Sequence, residues 1–178
     1  MKKIIVFFAV FSLACNPDKA TRIISNEAKF NTSDASELFF KNVRQTYYEK
    51  NEIEAAQIDF YKNKKLLKEE PLILPLIVHN WRKDEAYILL EFDEKIAEQE
   101  QLNLLWKDSN GNFSGEFYPL VNKKVHFTIV SDIYNHMLNE DNIYIKINQD
   151  TVTIFPNQAV REGFRITMVD FYRLVDMF

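Results

Sequence analysis

The residues best suited to bind a metal ion are three histidines and the carboxylates near them. The chain contains His79, His126 and His136, and no two of them form a His-x-x-x-His pair. Asp132, His136 and Glu140 follow one another at intervals of four residues, so on a helix they would share a face and could chelate a metal. The same spacing is typical of the polar face of an amphipathic helix. We therefore expect no metal and no other cofactor.

Nucleophilic catalysis has little support in the chain. Its only cysteine is Cys15, and its three glycines, Gly111, Gly115 and Gly163, form neither a Gly-x-Ser-x-Gly elbow nor a phosphate-binding loop. Both motifs need glycine where the backbone turns sharply or approaches a ligand closely. We predict no catalytic residue. A Ser-His-Asp set assembled from distant residues keeps a hydrolase open as an alternative.

Several carboxylates cluster in the middle of the chain. A glycoside hydrolase needs two carboxylates held roughly 5 to 10 Å apart across the bond that it cleaves. The acidic residues of this stretch are Glu91, Asp93, Glu94, Glu98 and Glu100. Adjacent acids in a charged stretch usually lie in water, and we favour a solvated edge over a catalytic pair.

Large aromatic side chains could stack on the rings of a sugar ligand if they were exposed. The candidates are Trp81, Trp106, Tyr87 and Tyr118. Aromatic residues in strand patterns more often belong to the core. Trp81 directly precedes a charged turn at residues 82–85, so we single it out as a possible ligand contact.

The first residues have the pattern of a secretory signal peptide. Two lysines precede an unbroken apolar run at residues 4–11, and small residues follow. Such a run is typical of signal peptides, whereas a membrane-spanning helix needs about 20 apolar residues. The sequence Ser-Leu-Ala-Cys at residues 12–15 resembles the lipobox of bacterial lipoproteins, although that family prefers Leu at the position of Ser12.

This resemblance implies that residues 1–14 are removed and that the sulfur of Cys15 carries a diacylglycerol. The new amino terminus is usually acylated as well in that family, and two or more acyl chains give firm membrane attachment. Lipidation of Cys15 leaves no thiol for a disulfide. In enteric lipoproteins an Asp after the cysteine signals retention in the inner membrane. Asn16 stands there, so we expect a cell-envelope protein of the outer membrane.

Composition excludes some classes of protein. The chain of 178 residues is 47% hydrophobic and 14% aromatic, which is enough for one domain with a sizeable core. Its formal net charge of −4 argues against a nucleic-acid partner, because such proteins carry a basic stripe. We read residues 15–36, which are largely polar, as a tether, and residues 37–178 as a single globular domain.

The hydrophobic pattern predicts strands followed by helices. Aromatic and β-branched runs predict strands at residues 38–48, 56–61, 76–81, 86–92, 102–107, 113–118, 143–147 and 151–155. Asn110-Gly111 favours a hairpin of residues 102–107 with 113–118 through a type I′ turn, which needs a positive φ at both positions. Hairpins are also predicted for residues 76–81 with 86–92 and for residues 143–147 with 151–155.

Two amphipathic helices are predicted late in the chain, at residues 127–140 and 168–178. In the second helix we expect Phe171 to face the core and Asp170 and Arg173 to face water. Runs of antiparallel strands with late helices indicate an α+β fold with a helix on one sheet face. A β-sandwich with peripheral helices is the alternative.

Stretches of the predicted domain, such as residues 78–87 and 170–174, are similar to small uncharacterised lipoproteins of Gram-negative bacteria. That resemblance implies no activity. The sequence as a whole favours a non-catalytic binding or structural module, held on a membrane through Cys15, whose partner is an envelope protein or another envelope component. A module that binds a glycan or a lipid-like molecule is the alternative.

Overall fold

The structure is a computed structural model that describes residues 21–97 and 99–178. The predicted signal peptide, Cys15 and the first part of the tether lie outside the described residues, as does Glu98. The α+β prediction is confirmed, because antiparallel strands and helices both contribute to one core. Within the described residues, no helix is long and apolar enough to span a bilayer.

Four strands form the first antiparallel sheet, sheet A, in the order β1-β2-β3-β4. Their bounds are β1 Tyr48–Ile53, β2 Ile58–Asn63, β3 Ile73–Asn80 and β4 Glu85–Phe92. The predicted hairpin of β3 and β4 is confirmed, with Ile77 opposite Ile88. Strand β3 is buried on both faces from Ile73 to His79, which explains why its sequence is a continuous apolar run rather than an alternating one.

The remaining strands form a second antiparallel sheet, sheet B, in the order β6-β5-β7-β8. Their bounds are β5 Gln101–Lys107, β6 Phe113–Pro119, β7 Asn142–Ile147 and β8 Asp150–Thr153. Both predicted hairpins are present. Strand β5 pairs with β7, which joins the two hairpins although a helix lies between them in the chain. The main prediction, a helix on one sheet face, did not include this division of the strands into two sheets; a second sheet was part of the β-sandwich alternative alone.

Two long helices hold the sheets together. Helix α4, Lys123–Leu138, contacts β4 of sheet A and both β6 and β7 of sheet B, and helix α5, Gln158–Leu174, packs on β3 and β4. Asn122 and Asn157 cap their first turns through side-chain oxygens. Both helices begin earlier than predicted. Phe127 of α4 meets Phe171 of α5 edge to face inside the shared core.

The strand predicted at residues 38–48 is wrong, because the segment is helical as far as Tyr47 and only Tyr48 belongs to a strand, β1. Helix α1 spans Asp34–Phe39 and continues as a turn of π-helix at Phe40–Arg44 and a 3-10 turn at Gln45–Tyr47. The side chain of Ser33 accepts a hydrogen bond from the N–H of Ser36, which caps α1. The aromatic content of residues 38–48 suggested a strand, but the cap at Ser33 and the contacts of this segment with α5 favour the helix.

Two other local features differ from the predictions. Of Asn110 and Gly111, only Gly111 has a positive φ, 90°, so the turn is not type I′. The carboxylate of Asp108 instead accepts hydrogen bonds from the N–H groups of Asn110 and Asn112. Two short helices, α2 at Lys64–Leu67 and α3 at Glu94–Ala97, occupy stretches for which neither a helix nor a strand was predicted.

The packed part of the chain begins before the domain boundary predicted at residue 37. Ile23 is buried, and Asn135 of α4 holds its backbone by two hydrogen bonds, one from the N–H of Ile23 and one to its carbonyl. The N–H of Ala86 donates to the carbonyl of Phe30 at 2.7 Å. These contacts attach the described residues of the predicted tether to the domain.

Candidate functional site

The outer face of sheet B carries the candidate site, and strand alternation places its residues there. Leu102 and Leu104 of β5 point into the core and are fully buried. The alternate residues of β5, Gln101, Asn103 and Leu105, therefore share the opposite face. Their partners on β6 are Pro119, Phe117 and Gly115, respectively. The carboxamides of β5 thus lie beside residues of β6 that carry no charge and are mostly apolar.

This face holds an open groove of about 830 Å³ near the end of the sheet where β5 begins and β6 ends. Its lining combines carboxamide, charged and apolar side chains, contributed by Gln99, Glu100, Gln101, Asn103, Phe117, Pro119, Val121, Lys146 and Asn148. Of these residues, the sequence analysis singled out only Glu100. Carboxamides both donate and accept hydrogen bonds, so the groove is suited to a polar ligand with some apolar surface.

Asn103 and Phe117 are the two most informative residues of the groove. The Oδ1 atom of Asn103 is shut off from solvent and has no hydrogen-bond partner among the described residues. Phe117, opposite Asn103 in the register, is 61% exposed. An enclosed acceptor without a partner and an exposed aromatic ring are both unfavourable in an isolated domain. A ligand in the groove would cover Phe117, and its donor would satisfy Asn103 once the carboxamide turned its Oδ1 toward the groove.

A second row of side chains extends the exposed surface along β6. The side chain of Leu105 lies over Gly115, where an added Cβ would stand only 2.4 Å from a methyl carbon of Leu105. Phe113 lies beyond Gly115, close to the ring of Tyr144 and to the ammonium group of Lys107. The outer face along β6 is therefore apolar from Phe113 to Phe117.

The aromatic residues considered in the sequence analysis do not meet at one site. Trp81 is 41% exposed at the turn after β3, away from the residues that line the groove. Trp106 stacks on the ring of His136, with ring centres 4.1 Å apart. Tyr118 is buried, and its hydroxyl donates to Asp132 at 2.7 Å. Burial and the neighbouring carboxylates raise the pKa of Tyr118.

The possible metal face of α4 is used for other contacts. Asp132 accepts the hydrogen bond from Tyr118, while Nδ1 of His136 lies 2.7 Å from a carboxylate oxygen of Asp141. Glu140 follows the end of the helix with a positive φ of 63°. In the part of the chain that the structure describes, no three histidine, cysteine or carboxylate side chains form a metal-binding group.

The other histidines and the clustered carboxylates also have structural partners. Nδ1 of His126 accepts a hydrogen bond from the backbone N–H of Leu90, and burial lowers the pKa of His126. Glu91 pairs with Lys62 at 2.7 Å, consistent with the solvated edge that we favoured. Asp93 accepts from the N–H of Lys95 in the first turn of α3.

Sequence reasoning missed a polar contact between α1 and sheet A. Oε1 of Glu37 lies 2.9 Å from Nε2 of the buried His79 and 2.6 Å from the hydroxyl of Thr32. Burial of Glu37 opposes its ionisation, but the contacts with Thr32, His79 and Lys41 outweigh burial and lower its pKa to about 2. Ser33, followed by acidic residues, was the signal in the sequence that could have revealed the start of α1, the helix that carries Glu37.

A second missed cluster joins the helical segment to α5. Asp170 is buried, contrary to the prediction that it faces water, because it accepts hydrogen bonds from Arg44 at 2.8 Å and from Tyr48 at 2.7 Å. Burial raises the pKa of Asp170, and the contacts with Arg44 and Tyr48 oppose that shift. Asp170 thus serves as an internal partner for two side chains from the segment predicted as a strand.

Another exposed apolar surface lies on the helical segment that begins with α1. Leu38, Phe39, Val43 and Tyr47 are all substantially exposed there. The same segment carries the carboxamides of Asn42 and Gln45. The guanidinium of Arg44 lies over the ring of Tyr47 at 4.8 Å.

Comparison of the chain with protein families, curated proteins and solved structures gave no match.

Proposed function

We propose that this protein is a lipid-anchored, non-catalytic binding protein of the bacterial cell envelope. The amino-terminal pattern and the lipobox resemblance support attachment through Cys15. The groove on sheet B supports binding of an envelope component. The observation that carries the proposal is the pair of Asn103, whose enclosed Oδ1 has no partner among the described residues, and the exposed Phe117.

A glycan is our second candidate for the ligand, after a protein partner. The groove is lined by four carboxamides, those of Gln99, Gln101, Asn103 and Asn148, together with the ring of Phe117. Hydroxyl groups of a sugar can donate to and accept from carboxamides, and the apolar face of a sugar ring can cover an aromatic side chain.

The groove is tested by cosedimentation of the chain from residue 21 onward, which lacks the proposed lipid anchor, with isolated envelope fractions, namely membranes and cell-wall sacculi. We expect Asn103→Leu to reduce binding by about 5- to 100-fold, the equivalent of about 1–3 kcal/mol for leaving a ligand's polar group unpaired. Ile53→Ser is the matched control, because Ile53 is also exposed but lies at the end of β1 in sheet A.

The fraction that binds distinguishes the ligand classes. Binding to sacculi that soluble glycan strands compete away indicates the glycan. Binding to membranes that protease treatment abolishes indicates a protein partner. If Asn103→Leu binds every fraction as well as the wild type does, the groove is not the binding site.

A further inference from the structure

Strand β6 is an edge strand whose exposed side chains do not protect it from pairing. Among the described residues it pairs with β5 alone, and its residues from Phe113 to Phe117 are all exposed. The backbone groups on the open side of such a strand form a template for another strand. Sheet A has two edge strands. In β4, the N–H groups of Ala86 and Leu90 already donate to Phe30 and His126, and β1 is exposed over Glu49-Lys50-Asn51-Glu52, where charges discourage pairing. The exposed part of β6 carries one charge, Glu116.

The sequence of this edge is nearly the same in both directions. Residues 113–117 read Phe-Ser-Gly-Glu-Phe, so a two-fold axis at Gly115 would place each Phe113 opposite Phe117 of a second copy. The same register places Ser114 opposite Glu116, where the hydroxyl can donate to the carboxylate. It also keeps the two Glu116 side chains from facing each other, which would be unfavourable.

We propose that two copies of this chain pair through β6, antiparallel and centred on Gly115, so that their B sheets form one continuous eight-stranded sheet. Such an interface is isologous and closed, because each copy uses its only β6 edge. The outer face of the interface is apolar, since Leu105 covers Gly115 between the two pairs of phenylalanine rings. Directly opposite aromatic residues stabilise antiparallel pairs. The pairing does not depend on which ligand the groove binds, although both use Phe117, whose ring lines the groove and would also lie beside Phe113 of the second copy.

Charge substitutions at the two phenylalanines test both the dimer and its register. In the variant Phe113→Lys/Phe117→Lys, two pairs of like charges would face each other across the axis, whereas Phe113→Lys/Phe117→Glu would place opposite charges there. We expect the first variant to raise the dimer dissociation constant at least about tenfold and the second to restore most of the association. Ile53→Lys on the edge of sheet A is the control and should associate like the wild type.

The measurement is sedimentation equilibrium of the full-length chain in a non-ionic detergent, with circular dichroism to confirm that each variant is folded. A monomeric wild type would overturn the proposal. Equal association of the two charge variants would also overturn it, because the register predicts opposite effects.

Cross-linking gives a second, independent measurement of the register. In a Cys15→Ser background, we expect Ser114→Cys/Glu116→Cys to form a disulfide-linked dimer under mild oxidation, and Ser114→Cys alone to form much less. Equal cross-linking of the two variants would contradict pairing centred on Gly115.

Discussion

At the scale of single residues, the protein uses buried polar side chains to attach its amino-terminal helical segment. Glu37 contacts His79 of sheet A, and Asp170 of α5 binds both Arg44 and Tyr48. These contacts could not be predicted from the sequence, because a period of three or four residues places Asp170 beside Arg173 on the predicted polar face. Only the fold shows that Arg44 and Tyr48 meet that position and make burial of the carboxylate tolerable.

Acid should weaken the contact that Glu37 makes. Its pKa in the folded protein is about 2, below the ordinary value of 4.5. A lowered carboxyl pKa contributes stability that is fully present above 4.5 and is lost as the pH falls toward 2. We therefore expect wild type to be more stable than Glu37→Gln at neutral pH, with the difference shrinking between pH 4.5 and pH 2. Urea midpoints measured over this range check the prediction; a constant difference would contradict it.

At the scale of secondary-structure elements, the seven strands β2 to β8 were predicted at nearly their observed positions, and both long helices were predicted but begin earlier than expected, α5 by ten residues. Their signals are local: β-branched runs end at turns, and apolar residues recur at helical spacing. The strand prediction for residues 38–48 was wrong because the aromatic residues of this segment also suit a strand. Its cap at Ser33 and its contacts with α5 determine the helix. The prediction of a type I′ turn after Lys107 was wrong because the carboxylate of Asp108 stabilises a different loop.

Helix α5 is predicted to be an integral part of the core rather than a mobile tail. Phe171 of α5 is fully buried, and its ring contacts the rings of Phe127 on α4 and of Tyr172 on α5. Phe171→Ala should destabilise the protein by about 3–5 kcal/mol, the usual cost of emptying a buried phenylalanine site. Phe39→Ala, at an exposed position of α1, is the matched control and should cost well under that amount. Urea unfolding of the chain from residue 21 onward measures both; equal midpoints would contradict a docked α5.

At the scale of the whole molecule, one core connects both sheets and the long helices, and the amino-terminal residues pack on its surface. The groove could not be predicted from the sequence, because its residues come together only when β5 pairs with both β6 and β7. Asn103 and Lys146 are far apart in the chain and look like ordinary polar strand residues. Exposure of Phe117 likewise follows from the position of β6 at the sheet edge.

Asn135 should control how firmly the residues before α1 are attached. It makes two hydrogen bonds with the backbone of Ile23, at 2.9 and 2.7 Å. Asn135→Ala removes both, and we expect amide exchange at Ile23 to accelerate about tenfold or more, since each bond contributes about 1 kcal/mol. Lys124→Ala, at an exposed position of the same helix, is the control. Unchanged exchange at Ile23 in Asn135→Ala would show that other contacts hold this segment.

Metabolic labelling with radioactive palmitate tests whether Cys15 attaches the protein to a membrane. The full-length chain and its Cys15→Ser variant are produced in a bacterium with two membranes. The wild type should incorporate the label, lose residues 1–14 and fractionate with outer-membrane markers, because its cysteine receives the acyl chains that anchor it. The variant should remain an unlabelled, uncleaved precursor. Equal labelling of both proteins, or no labelling of the wild type, would contradict the account.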